Sequence, residues 1–185
     1  MRWSSVVRQC RFDCVRVDLF GLSNMLFMLL FPVLSCVAAL VLTVTGAPGQ
    51  VAVSVYGGVC GMAAVMSWMS ALSVNVAEES GGHRAMNGMI PIARTSQVAG
   101  RFLFLLVTCA MWTVDVMACS VFFAFGDMMD SGWAGAMIPS AVIFAFSLII
   151  GSILMAFSYR FTFRAMMRIF VVVIVGLYAL VALLS

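Results

Sequence analysis

The chain contains no lysine: all ten of its basic residues are arginines, and a single histidine, His83, accompanies them. Without lysine there is no phosphate-binding loop of the GxxxxGK type, so the chain is not its own ATPase of that class. One histidine leaves no nitrogen-rich metal set, and neither GxSxG nor HExxH occurs. Catalytic, metal-binding and cofactor-binding residues are therefore not expected in this chain. Charge is scarce as well. With 9% charged and 64% hydrophobic residues and a mean hydropathy of +1.16, an ordinary soluble domain is excluded. No CxxC is present. Cys36, Cys60, Cys109 and Cys119 lie within apolar runs and Cys10 and Cys14 precede the first, so no disulfide is expected.

What the chain has is long apolar runs. Crossing the hydrocarbon of a bilayer takes about 20 helical residues, and five segments meet or approach this: 22–44, 51–74, 102–125, 134–157 and 169–184. Stretches such as VLSCVAALVL and FSLIIGSILMAF are apolar on every face, which rules out the period-two alternation of a membrane β-barrel. The expected fold is all-α. It is a polytopic bundle of five spans, or six if a re-entrant or missed helix is counted, forming one transmembrane domain over residues 1–185.

The arginines give this bundle an orientation. Arg2, Arg8, Arg11 and Arg16 precede the first run, Arg84, Arg94 and Arg101 separate the second from the third, and Arg160, Arg164 and Arg168 separate the fourth from the fifth. The intervening turns, GAPGQ at 46–50 and GDMMDSG at 126–132, hold no positive charge. Arginine-rich short loops stay in the cytoplasm, so the amino terminus and both basic loops are expected there. The same arginines are scattered through loops without aromatic stacking partners, which argues for lipid headgroups and against nucleic acid.

Residues 1–20 form an interfacial amphipathic helix candidate, with Trp3, Val6, Val7, Cys10, Cys14 and Val17 on one stripe. Its expected position is the headgroup plane, apolar face down; a basic anchor that only sets topology is weighed equally with it. The second span carries Ser54, Gly57, Gly61 and Ala64 at spacings of three and four, and Gly57 to Gly61 is a GxxxG that permits close helix approach. Packing within the subunit is the expected use, ahead of a subunit interface. Ser147 and Gly151 repeat the idea more weakly in the fourth span. Asp115 is the one ionisable residue well inside a span. A charge there costs from about 3 to over 10 kcal/mol, so it should face protein or water, or be protonated. A neutral acid bonded to a neighbouring helix is weighed ahead of a substrate-path or proton site.

The segment 75–101 is the longest polar stretch and reads as a cytoplasmic loop too long for a simple turn. Gly81 and Gly82 end the second span, HRAMNGM at 83–89 suits a short helix, Pro91 stops it, and Thr95 or Ser96 caps the helix that enters the third span.

With these residues in view, the sequence resembles the membrane subunits of bacterial type-2 ABC exporters, in the compact form without a fused ATPase. The resemblance rests on Glu78 and Glu79 after the second span, on MIPIARTSQVAGRF at 89–102, and on FSYRFTFRAMMRIF at 157–170. It implies an interfacial helix before the first span and a coupling helix that docks on a separate ATPase subunit, which would carry the ATP and Mg. Position by position, Glu78, Glu79, His83, Arg84, Met89, Pro91, Arg94 and Arg101 would bracket that contact. A second permease copy or a paralogue, a bacterial cytoplasmic membrane location and transport by alternating access are further implications. The family has six spans, one more than are read here. The alternative is a multi-pass scaffold or assembly protein that uses the Gly57 and Gly61 face. Least favoured is an intramembrane acid catalyst centred on Asp115.

Overall fold

The computed structural model describes residues 3–80, 93–125, 132–162, 164, 165, 168, 169 and 172. Among the described residues, regular structure is entirely helical: α1 (Trp3–Arg16), α2 (Leu22–Thr45), α3 (Gly49–Ser80), α4 (Arg94–Phe125) and α5 (Gly132–Ser158). Four of these, α2 to α5, are long and apolar enough to cross a membrane. They match the first four expected spans. The fifth, 169–184, lies mostly outside the described residues, as does the 126–131 turn.

Helix ends follow local chemistry. Gly46 closes α2 in the left-handed region (φ 61°, ψ 34°), and the cap amides donate to the carbonyls of Leu42 and Thr43. Glycine adopts this conformation without a Cβ penalty. Between α1 and α2 the chain reverses through Asp18, a non-glycine residue at φ 53°, whose carbonyl accepts a 2.7 Å hydrogen bond from Asn24 Nδ2. Gly21 follows with its hydrogens against the exposed Asp18 carboxylate. The elbow is thus shaped by Asp18 and Asn24.

Two corrections concern the polar segment between the second and third spans. Residues 75–101 are not one loop: α3 runs on to Ser80 and α4 starts at Arg94, so Asn75, Glu78, Glu79, Arg94 and Arg101 are all helical. Their polarity marked them as loop, but Arg101 bonds Asn75 and Glu78 between the helices, and Arg94 is exposed at the start of α4. Nor do Thr95 or Ser96 cap α4. Both lie in its first turn, where the carbonyl of Ala93 accepts from the amides of Ser96 and Gln97.

α4 is the spine, in contact with α1, α2, α3 and α5. One part of the core, at the end near Arg16 and Arg101, joins Cys10 and Cys14 of α1 to Trp68 and Leu72 of α3, Phe104 and Leu105 of α4, and Met155 of α5. The other part joins Phe31 of α2 to Tyr56 and Ala63 of α3 and Trp112, Val116 and Phe123 of α4. There the Phe31 and Trp112 rings meet edge to face at 5.4 Å, a geometry that adds about 1 kcal/mol to area burial. Much of α2 and α5 presents exposed Leu, Val, Ile and Phe, including Val33, Val37, Val44, Ile149 and Ile153. In water so continuous an apolar surface would aggregate; next to lipid it is an ordinary helix exterior.

Close packing uses glycines other than the expected pair. At Gly100 an added Cβ would meet Gln9 side-chain carbons at 2.7 Å and the Val6 carbonyl at 3.1 Å, so α1 lies directly on α4. At Gly151 it would meet Leu105 Cδ1 at 2.6 Å, and Ser147 one turn earlier is buried, so the weaker expected stripe is the real α4–α5 contact. No described residue lies within 4 Å of a Cβ added at Gly57 or Gly61, so among the described residues their expected packing within the subunit is not found. Spacing shows that a helix has a smooth face, not which neighbour covers it.

α1 also departs from expectation. Its buried face is Val6, Gln9, Cys10, Asp13 and Cys14, pressed on α4, while Trp3 and Val7 of the expected stripe are exposed beside Phe12 and Val15. The stripe is therefore shared between a protein face and an open apolar face.

Candidate functional site

The ends of α1, α3, α4 and α5 that carry the arginines converge on a buried polar cluster. Its centre is Glu78 of α3, only 4% exposed. Glu78 Oε1 accepts from Arg16 Nη1 of α1 at 2.7 Å and from Arg101 Nη2 of α4. Arg101, 8% exposed, also donates through Nη1 to Asn75 Oδ1 at 3.0 Å, and its guanidinium lies 5.4 Å from the centre of the Tyr159 ring. Asn75 Nδ2 in turn points at Met155 Sδ of α5, 3.8 Å away. One carboxylate thus ties three helices, and its second cation reaches a fourth element. Arginine suits such a node, since a planar guanidinium offers several donors in fixed directions and remains charged.

Beside this node lies Asp13, fully buried. Its Oδ1 accepts from Gln9 Nε2 at 3.1 Å, whereas Oδ2 has no hydrogen-bond partner among the described residues. Burial pushes its carboxyl up to about 6, against the lowering effect of the Gln9 hydrogen bond and of the Arg101 and Arg16 charges. Burial likewise pushes the Cys10 thiol up to about 12 and raises that of Cys14. Thiols held neutral in this way are packing groups and not nucleophiles. Among the described residues no group of His, Cys, Asp and Glu is arranged to hold a metal ion.

Of the residues proposed from sequence, the structure brings Glu78 and Arg101 together. They face each other inside the subunit and leave little surface for another protein. Glu79 is half-buried and engaged, and Arg94 is exposed at the first turn of α4. His83, Arg84, Met89 and Pro91 lie outside the described residues. Asp115 stands apart, about 20 Å along α4 from Arg101 at 1.5 Å per residue, 8% exposed and with Oδ2 unpartnered among the described residues. Sequence reading missed Gln9, Asp13, Arg16, Asn75 and Tyr159. The available signal was the spacing of Gln9, Asp13 and Arg16, four and then three residues apart, which puts three polar groups on one face of α1.

No family model matches the chain, and no curated protein or solved structure is significantly similar to it.

Proposed function

We propose that the chain is the permease subunit of an ATP-driven, ABC-type exporter in a bacterial cytoplasmic membrane, amino terminus inside. It pairs with a second copy or paralogue and with separate ATPase subunits. The observation that carries this reading is the Glu78 node, which braces α1, α3 and α4 at the two ends of the segment joining Ser80 to Arg94. A push on that segment reaches three helices together, because breaking a buried charge pair costs about 3 to 5 kcal/mol. In this reading Glu79, His83, Arg84, Met89, Pro91 and Arg94 meet the ATPase, while Glu78 and Arg101 transmit the force. The exposed apolar residues of α1, Trp3, Val7, Phe12 and Val15, suit the membrane interface. Purification of the tagged chain from its native membranes in mild detergent should recover an ATPase subunit. Recovery of the chain alone would overturn the proposal.

A second reading, a multi-pass scaffold, draws on the open Gly57 and Gly61 face of α3. Under it, Gly57→Leu with Gly61→Leu abolishes partner recovery and Pro91→Ala with Arg94→Glu leaves it intact. The exporter reading requires the second pair to weaken recovery of the ATPase.

A further inference from the structure

Between α2 and α4 lies a groove of about 620 Å³, lined by Met25, Met28 and Pro32 on one side and Met111, Val114 and Asp115 on the other. Its volume falls in the range of small-molecule sites, and it is open along one side. Among the described residues Asp115 is the only polar one in its lining; the others offer aliphatic carbon and thioether sulfur. Asp115 is more than nine-tenths buried, and its Oδ2 has no hydrogen-bond partner among the described residues. A charge on this carboxyl is costly within the hydrocarbon unless an opposite charge stands beside it.

We propose that this groove binds a lipophilic organic cation, with Asp115 as its counter-ion. Anions are excluded by the carboxylate. Sugars and other many-hydroxyl molecules are excluded by a lining that offers one polar group. A bulky apolar body bearing a single positive charge matches both features of the groove, its shape-adaptable methionine walls and its one acid. Pro32 contributes by lacking the amide that would donate to the Met28 carbonyl, which loosens α2 where it borders the groove. The inference stands on the α2–α4 geometry and does not rest on the exporter reading.

The test uses the purified full-length chain in phosphatidylcholine nanodiscs with tetraphenylphosphonium as the probe, measured by equilibrium dialysis. Saturable binding is expected. Asp115→Asn should weaken it at least tenfold, whereas the uncharged triphenylphosphine oxide should change less than twofold between the two proteins. Equal phosphonium binding by both proteins, or the absence of saturable binding, would overturn the proposal. As a check that needs no folded variant, a benzophenone-bearing phosphonium is photolysed with the unaltered chain. Adducts at Met25, Met28 or Met111 support the site, and adducts confined to other positions sink it. Spontaneous cross-linking of Val114→Cys to Val181→Cys would show the chain's own end filling the groove, and would equally overturn it.

Discussion

Replacing Arg101 by Met keeps much of the side-chain volume and deletes the charge. The structure dictates what is left behind. Among the described residues Glu78, 4% exposed, retains Arg16, whose side chain is 18% exposed, and Asn75 Oδ1 loses its Arg101 donor. Removing one partner of a buried pair costs about 3 to 5 kcal/mol. Because Arg16 still neutralises part of the Glu78 charge, the lower end, about 3 kcal/mol, is expected. Glu78→Gln alone leaves two guanidiniums facing each other without their shared anion and should cost a similar amount. The double variant Glu78→Gln, Arg101→Met removes both mismatches, so it should be less destabilised than the sum of the singles by at least about 1.5 kcal/mol. Reversible unfolding in mixed micelles, followed by helix content and by tryptophan fluorescence, gives all four corners of the cycle. Additive losses, or a loss below about 1 kcal/mol for Arg101→Met, would show that the ion pair is not what joins these helices.

Asp13 supplies a pH dependence of opposite sense to a salt-bridged acid. Its carboxyl is raised in the folded protein to about 6 from an ordinary 3.8, so the folded state holds a proton that the unfolded state has released. Its contribution is fully present below pH 4 and is lost as pH rises to about 6, by roughly 3 kcal/mol at most. Asp13→Asn should remove that component from the stability profile, and superimposable profiles would refute the assignment. Gly100→Ala drives a methyl group into Gln9 and the Val6 carbonyl and should cost about 1 to 3 kcal/mol. Gly57→Ala and Gly61→Ala enter open space and should stay within about 0.5 kcal/mol of the parent in the isolated subunit; an equal loss in thermal unfolding for all three would contradict the observed packing. For orientation, Gln50→Cys in the exposed first turn of α3 should react with an impermeant maleimide added to intact cells, and reaction only after permeabilisation would invert the topology.

The four described long helices were legible in the sequence because hydrocarbon-length apolar runs need no knowledge of their neighbours. Their inner ends were not. Asn75, Glu78 and Arg101 are as polar as any loop residue, and composition cannot show that a glutamate on one helix will meet an arginine 23 positions later on the next. α1 failed for a related reason. Periodicity separated apolar from polar positions, but Gln9 and Asp13 turn inward because each satisfies part of the other, a pairing invisible to a hydropathy stripe. The glycines divide in the same way. GxxxG is a property of one helix, whereas the close approaches at Gly100 and Gly151 are properties of two.

Two helices consecutive in the chain flank α4 at its two polar points, one at each. α1 supplies Arg16 near Arg101, and α2, which follows immediately in the chain, forms the other wall of the groove at Asp115. Arg101 and Asp115 are 14 residues apart, which at 100° per residue puts them within about 40° of each other around α4. The elbow from Asp18 to Gly21 joins the two neighbours: Asp18 is already left-handed, and Asn24 fastens the turn from the next helix. A shift of α2 away from α4 to admit a bulky ligand would therefore pull on α1 and on the Arg16–Glu78 contact. Conversely, a node that holds α1 firmly holds the groove at its present width. The polar features of α4 are thus mechanically adjacent although about 20 Å separates them.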